Sequence, residues 1–192
     1  IYICFGDISE AEMSDTEGFS EYRLKKLDNI VNENEKRRSA GAEYMLIHAA
    51  AALFPELPLP VKYEADERGK PYFKYPEGYF LSLSHSGILA ACAVSDAPVG
   101  IDVQHERKPS PGLLRRFFTE NERRQAEGDT EAFTRIWARK EAVSKAAGLG
   151  VQIGFGSIEV IGAETEHQGV IYSISDVCCG FDNYYMAVSR QL

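Results

Sequence analysis

Asp102 and Glu141 are the residues of this sequence whose types and settings could do chemistry. Asp102 stands in Gly100-Ile101-Asp102-Val103, a strand-like run, and Glu141 in Trp137-Ala138-Arg139-Lys140-Glu141-Ala142-Val143-Ser144-Lys145, which reads as helix. Two carboxylates with Lys140 and Lys145 beside one of them point to a magnesium–phosphate site. Hard oxygen ligands suit Mg²⁺, which one or two carboxylates typically hold while phosphates and water complete its shell, and lysines neutralise the phosphate charge. An aspartate inside an apolar strand needs a partner or a metal, because an unpaired buried carboxylate is costly. A structural alternative stands beside this one: Lys140 and Lys145 could complement the negative end of the helix dipole, Glu141 and Lys145 could form an i,i+4 surface pair, and Asp102 could bond backbone amides at a strand end.

The helix that carries Glu141 must position it. From Phe133, helical spacing places Phe133, Ile136, Trp137, Lys140, Glu141, Ser144 and Lys145 on one stripe, apolar in its first half and charged in its second. Such a switch along one face predicts a helix that leaves the core and enters a polar cleft, with Gly148 as its C-terminal cap. Upstream, Thr119-Glu120-Asn121-Glu122 is a capping box, which accounts for Glu122 without any function.

A second element with chemical potential is Leu81-Ser82-Leu83-Ser84-His85-Ser86-Gly87, a strand running into a glycine turn. Its hydroxyls, imidazole and turn amides could make a phosphate cradle, or His85 could be structural, the commoner role of a lone histidine. No Gly-x-Ser-x-Gly elbow supports a catalytic triad, and the histidines have no zinc-ligand spacing.

The remaining pattern predicts α+β architecture. Ile1 to Phe5 reads as a strand, followed by an acidic stretch, basic helical segments with Arg23, Lys25, Lys26, Lys36, Arg37 and Arg38, and an apolar helix from Ala40 to Phe54 that Pro55, Pro58 and Pro60 end. Val61 to Ala65 and Tyr72 to Tyr75 flank a hairpin turn at residues 66–71; Tyr79 to Ser84, Ile88 to Ser95 and Val99 to Val103 read as further strands. A basic helical region from Gly112 to Ala147 and strands at Val151 to Ile161, Val170 to Ser175 and Tyr184 to Ser189 repeat that order. Two similar lobes, residues 1–98 and 99–192, each a helix packed on a small antiparallel sheet, would explain the echo and put the site in the cleft between them.

Composition narrows the class. With 192 residues, 44% of them apolar and 11% aromatic, the chain can build a sizeable core. A net charge of -8 argues against general nucleic-acid binding, so any basic site must be local. No apolar run approaches the roughly 20 residues that span a bilayer, and Ile1 to Glu10 lacks the basic start and apolar core of a signal peptide. Cys4, Cys92, Cys178 and Cys179 have no Cys-x-x-Cys spacing and read as buried free thiols. A cytoplasmic, monomeric protein without a membrane partner is the expectation.

Four motifs in order resemble the surfactin-type 4'-phosphopantetheinyl transferases, from about Arg38 to Gly150. They are Gly69-Lys70-Pro71, Ser84-His85-Ser86-Gly87, Gly100-Ile101-Asp102-Val103, and Trp137 through Lys145. The resemblance implies that family's two-lobed, pseudo-twofold fold. It also implies transfer of the phosphopantetheine arm of coenzyme A to a serine of an apo acyl or peptidyl carrier protein, releasing adenosine 3',5'-bisphosphate. By the same resemblance Asp102 and Glu141 would hold Mg²⁺, Lys140 and Lys145 would bind the pyrophosphate with Lys145 stabilising the leaving group, and Arg38, Lys70, Ser84 and His85 would hold the nucleotide end. Glu141 would serve as base, through an intervening water. Many members carry glutamate where this chain has Gln104, so Gln104 is expected as a weak, uncharged metal ligand. Two other readings stay open: a Mg²⁺-dependent nucleotide hydrolase, and a non-catalytic module that binds coenzyme A or docks a carrier. Leu114, Arg115, Arg116, Phe117 and Phe118 offer a docking patch or, alternatively, core.

Overall fold

The computed structural model describes residues 1–11 and 16–192; part of the acidic stretch, residues 12–15, lies outside them. The chain divides into two compact units, Ile1–Asp96 and Ala97–Leu192. Each is an α+β unit built on one antiparallel sheet.

In the first unit, strands β1 (Tyr2–Asp7), β2 (Tyr63–Ala65), β3 (Pro71–Phe73), β4 (Phe80–Ser86) and β5 (Leu89–Ser95) are ordered β1-β5-β4-β3-β2. Helix α1 (Glu21–Asp28) is capped by Ser20, and α2 (Glu33–Leu53) by Asn32, whose side chain accepts the Glu35 N–H. α2 ends at Phe54, next to Pro55, which cannot extend a helix. Its Met45, Leu46, Ala49 and Ala50 form a core with Leu81 of β4 and with Ala90, Cys92 and Val94 of β5. One fully buried charge serves this packing. Glu43 of α2 accepts from Arg23 Nε at 3.1 Å and from the Ser20 N–H at 2.9 Å, and Tyr63 Oη also donates to it.

In the second unit, β6 (Val99–His105), β7 (Glu164–His167), β8 (Val170–Val177) and β9 (Tyr184–Gln191) are ordered β6-β9-β8-β7. The basic region is three helices rather than one: α3 (Pro111–Phe117), α4 (Glu120–Ala126) and α5 (Thr130–Ala147). The breaks fall where new caps begin, at Thr119 with its capping box and at Asp129, whose side chain accepts the Ala132 N–H. α5 ends at Gly148 in the left-handed conformation, as its position predicts.

The expected strand over Val151 to Ile161 is not there. Residues Gly150–Ile153 and Phe155–Ser157 form short 3₁₀ turns, with Gly150 and Gly154 at φ of 55° and 75°, conformations that break an extended run. Ile153, Phe155, Ile158 and Val160 are apolar because they enter the core with Phe133, Ile136 and Val143 of α5. The fourth strand is instead the polar β7, whose Glu-Thr-Glu-His sequence carries no burial signal because it lies at the sheet edge. The cysteines are all free, but only Cys92 and Cys179 are buried; Cys4 is half-buried and Cys178 exposed.

α5 is seated on β6 by an absence of side chain. A Cβ at Gly100 would stand 2.0 Å from the Ala142 carbonyl oxygen and 2.5 Å from the Ala146 nitrogen, so helix backbone meets strand backbone there. Ala138, Ala142 and Ala187 extend the close contact onto β9. Arg139 fixes the helix from another side: its guanidinium forks onto both Asp176 carboxylate oxygens at 2.7 Å and donates to the carbonyls of Val160 and Ile161 at 2.9 Å. Replacing Gly100 with Ala should therefore cost more than about 3 kcal/mol of stability, because rigid backbone cannot yield as a side-chain tip can. Gly6→Ala, whose Cβ would meet Met45 at 3.7 Å, should change it by less than about 1 kcal/mol. Denaturant titration of both variants reads the contrast.

Candidate functional site

α5 carries two ridges where the sequence shows one stripe. Phe133, Ile136, Lys140, Val143 and Ser144 point inward and are buried, whereas Trp137, Glu141 and Lys145, spaced four apart, are only partly buried. The outer ridge faces the end of β6. Lys145 Nζ donates to Asp102 Oδ1 at 2.7 Å and to the Ile101 carbonyl at 2.9 Å. Gln104 Nε2 donates to Asp102 Oδ2 at 2.7 Å. Asp102, 3% exposed, is thus held by both oxygens, and the partner of Lys145 is Asp102, not the surface mate Glu141 that i,i+4 spacing suggests.

Glu141 stands in the field of this pair. Its carboxyl is pushed up to about 7, first by burial and then by the negative charge of Asp102; Lys145 and Arg107 pull the other way. A carboxylate whose proton affinity is raised by a neighbouring negative charge is a place where an added cation is favourable. The donor set is oxygen, which fits Mg²⁺. Among the described residues no group of three His, Cys, Asp or Glu side chains is disposed to hold a metal, so a cation here would need ligand or water oxygens as well. Gln104 meets the site as a hydrogen-bond donor through Nε2, an atom that cannot ligate a cation while it donates.

Lys140 is a correction. Expected among the phosphate-binding lysines, it is 1% exposed, and its three donors are taken by Glu122 Oε2 at 2.7 Å, Phe155 O at 2.7 Å and Ile158 O at 2.5 Å. The acidic partner is the same Glu122 that closes the α4 capping box and also accepts the Val160 N–H at 2.8 Å. The charged half of the stripe does not leave the core as a whole; one of its lysines stays inside and ties α4 and the 3₁₀ turns to α5.

The first unit holds the other candidates. Arg38 lies on α2, Lys70 in the β2–β3 hairpin, and Ser84 and His85 on β4. Glu35, which sequence reasoning passed over, links two of them: Arg38 forks onto its Oε2 at 3.1 and 2.6 Å, and His85 Nε2 lies 3.8 Å from its Oε1. The i,i+3 spacing of Glu35 and Arg38 was a legible signal; the His85 approach was not, because it depends on how α2 lies over the sheet. Lys70 is half-buried, and burial holds its ammonium down at about 8, against the opposing pull of Asp66. Ser84 is 6% exposed. In the second unit, Leu114 and Phe118 are core residues and Phe117 packs against the same cluster, so the aromatic part of the docking patch is structural; Arg115 and Arg116 are exposed.

Comparison with known proteins adds an independent finding. Residues 98–188 match the family model of the 4'-phosphopantetheinyl transferase superfamily. The chain is similar to a 4'-phosphopantetheinyl transferase of Bacillus subtilis, 26% identical over 143 residues that cover 72% of this chain and 64% of the relative. It is 31% identical to 4'-phosphopantetheinyl transferase psf-1 of Bacillus pumilus (64% and 55% covered) and 30% identical to 4'-phosphopantetheinyl transferase HetI of Nostoc (76% and 66% covered). The chain spans between 47% and 66% of the length of the curated relatives it matches.

The two lysines of α5 should behave oppositely when removed. Lys140→Met should destabilise the protein by about 3–5 kcal/mol, the cost of stranding a buried carboxylate. Adding Glu122→Gln, which keeps the cap while removing the charge, should restore part of the loss. Lys145→Met should cost less than Lys140→Met, because its ammonium is partly exposed and the buried Asp102 keeps the Gln104 donor. Denaturant titration of the four proteins measures this; a Lys140→Met protein as stable as the parent would refute the structural role.

Proposed function

Residues 98–188 belong to the 4'-phosphopantetheinyl transferase superfamily, and from that membership we infer that the chain transfers the 4'-phosphopantetheine arm of coenzyme A to a serine hydroxyl of an apo carrier protein. The observation that carries this reading is the Asp102–Lys145 pair with Glu141 beside it: two carboxylates and one ammonium on adjoining backbone, suited to a cation and a phosphate together.

Mg²⁺, held by Asp102 and Glu141 when bound, would neutralise charge on the coenzyme A pyrophosphate. The chain's own residues supply the rest. Attack of the serine oxygen on the pantetheine-side phosphorus forms one P–O bond and breaks the bond to the adenosine 3',5'-bisphosphate leaving group. Lys145 offers an ammonium to the charge that develops on the departing oxygen. Glu141 would take up the serine proton through an intervening water rather than directly, because the same carboxylate would be holding the cation. Gln104 and Lys145 hold Asp102 in one orientation throughout. In the first unit, Arg38, Lys70, Ser84 and His85 would bind the adenine nucleotide end, with Glu35 as the resting partner that Arg38 and His85 give up. Lys140 contributes through stability alone.

Incubation with coenzyme A, Mg²⁺ and an apo carrier tests the reading. A carrier mass gain of one phosphopantetheine arm, with equimolar adenosine 3',5'-bisphosphate, is the expected result. Hydrolysis of coenzyme A without a carrier, or tight binding without transfer, would replace this function with a hydrolase or a binding module.

A pH dependence follows from Lys70. Only its charged form attracts phosphate, and burial sets its proton release near 8, so coenzyme A affinity should fall as pH rises from 7 to 9. Arginine does not titrate in this range, so Lys70→Arg should flatten the profile. Equal slopes in titration calorimetry of the two proteins would remove Lys70 from the ligand.

A further inference from the structure

We propose that Arg107 is a phosphate-binding residue of this site, its guanidinium fork taking the pyrophosphate oxygens that the buried Lys140 cannot reach; the proposal rests on the function inferred above. Arg107 follows β6 and is exposed, and among the described residues no carboxylate lies within ion-pair distance of it. Its backbone is fixed: the buried Thr134 Oγ1 accepts its N–H at 3.2 Å and is itself 2.7 Å from the Thr130 carbonyl. Its side chain is placed as well, with the guanidinium carbon 5.6 Å from the centroid of the Trp137 ring.

Trp137 is a firm platform for a cation. Phe117 and Phe155 meet its ring edge-on at 5.7 Å, and Phe118 stacks with it at 6.3 Å. It lies one helical turn before Glu141 and two before Lys145, on the same outer ridge, so a group over Trp137 stands beside the carboxylate that faces Asp102. The positive charge of Arg107 is felt at Glu141, which agrees with that placement. A packing role alone would need only the aliphatic stem and the cation–π contact. It would not call for an exposed fork without an acidic partner, the geometry that suits bidentate phosphate recognition.

Titration calorimetry with Mg²⁺ separates the possibilities, using coenzyme A and dephospho-coenzyme A, which lacks the 3'-phosphate, against the parent protein, Arg107→Ala and Arg107→Lys. Arg107→Ala should weaken both ligands by a similar factor of about 10 or more, the loss of one charge-assisted contact, with an unchanged denaturation midpoint. Arg107→Lys should recover part of the affinity. A loss confined to coenzyme A would assign the arginine to the 3'-phosphate and overturn the proposal. So would unchanged binding of both ligands, whether or not the carrier KM rises. Failure of the parent protein to bind coenzyme A would instead refute the function on which the proposal stands, a result distinguishable from all of these.

Discussion

The contact on which the candidate site depends is the meeting of α5 and β6 at Gly100. Helix backbone lies where any side chain would stand, with the Ala142 oxygen 2.0 Å from the position of a missing Cβ. This closeness brings Lys145 within hydrogen-bond reach of the Ile101 carbonyl and of Asp102, two residues further along the strand. A helix held further out by a methyl group would still bury its apolar ridge, but its ammonium would no longer span the gap. The glycine of the Gly-Ile-Asp run is therefore part of the electrostatics of Asp102 although it carries no charge.

Lys140 and Lys145 show how local setting sorts identical side chains. Both sit in the last two turns of one helix. One is enclosed with a carboxylate and two carbonyls, three acceptors for the three donors of a buried ammonium; the other bridges a buried aspartate and the solvent side of the helix. A buried ion pair of the first kind is weak evidence for stability gained over an apolar pair, but removing one partner is expensive. The second kind leaves charge exchangeable with a ligand. The same division applies to the glutamates: Glu122 is spoken for by Thr119, Val160 and Lys140, while Glu141 carries a proton affinity displaced toward neutrality.

Much of this was legible in the chain. The α+β class, the hairpin around Asp66 to Pro71, the α4 capping box and the Gly148 cap all rest on local rules of spacing and backbone conformation, and local rules suffice there. The pairing of Asp102 with Lys145 was only partly visible: the residues stood out, but i,i+4 spacing favoured Glu141 as the lysine's mate. What the pattern concealed was long-range. An apolar run from Ile153 to Val160 is equally compatible with a strand and with turns folded under a helix, and β7 is polar because it is an edge. The inward course of Lys140 depends on Glu122, eighteen residues away, and on carbonyls after the helix; no periodicity reports such partners.

Arg139, clamped to Asp176 and to two carbonyls, has a wider meaning when α5 is seen as a rotor. Successive residues of a helix are turned by about 100°. Lys140 and Glu141 are consecutive, so a rotation of α5 by one residue would carry a carboxylate into the enclosure built for an ammonium, and would withdraw Lys145 from Asp102 into the buried place of Ser144. The clamp on one side and the glycine seat on the other fix that angular phase. The site is in this sense an orientation as much as a set of residues, and a single-residue insertion early in α5 would erase it while leaving the helix, its amphipathic character and every site side chain present.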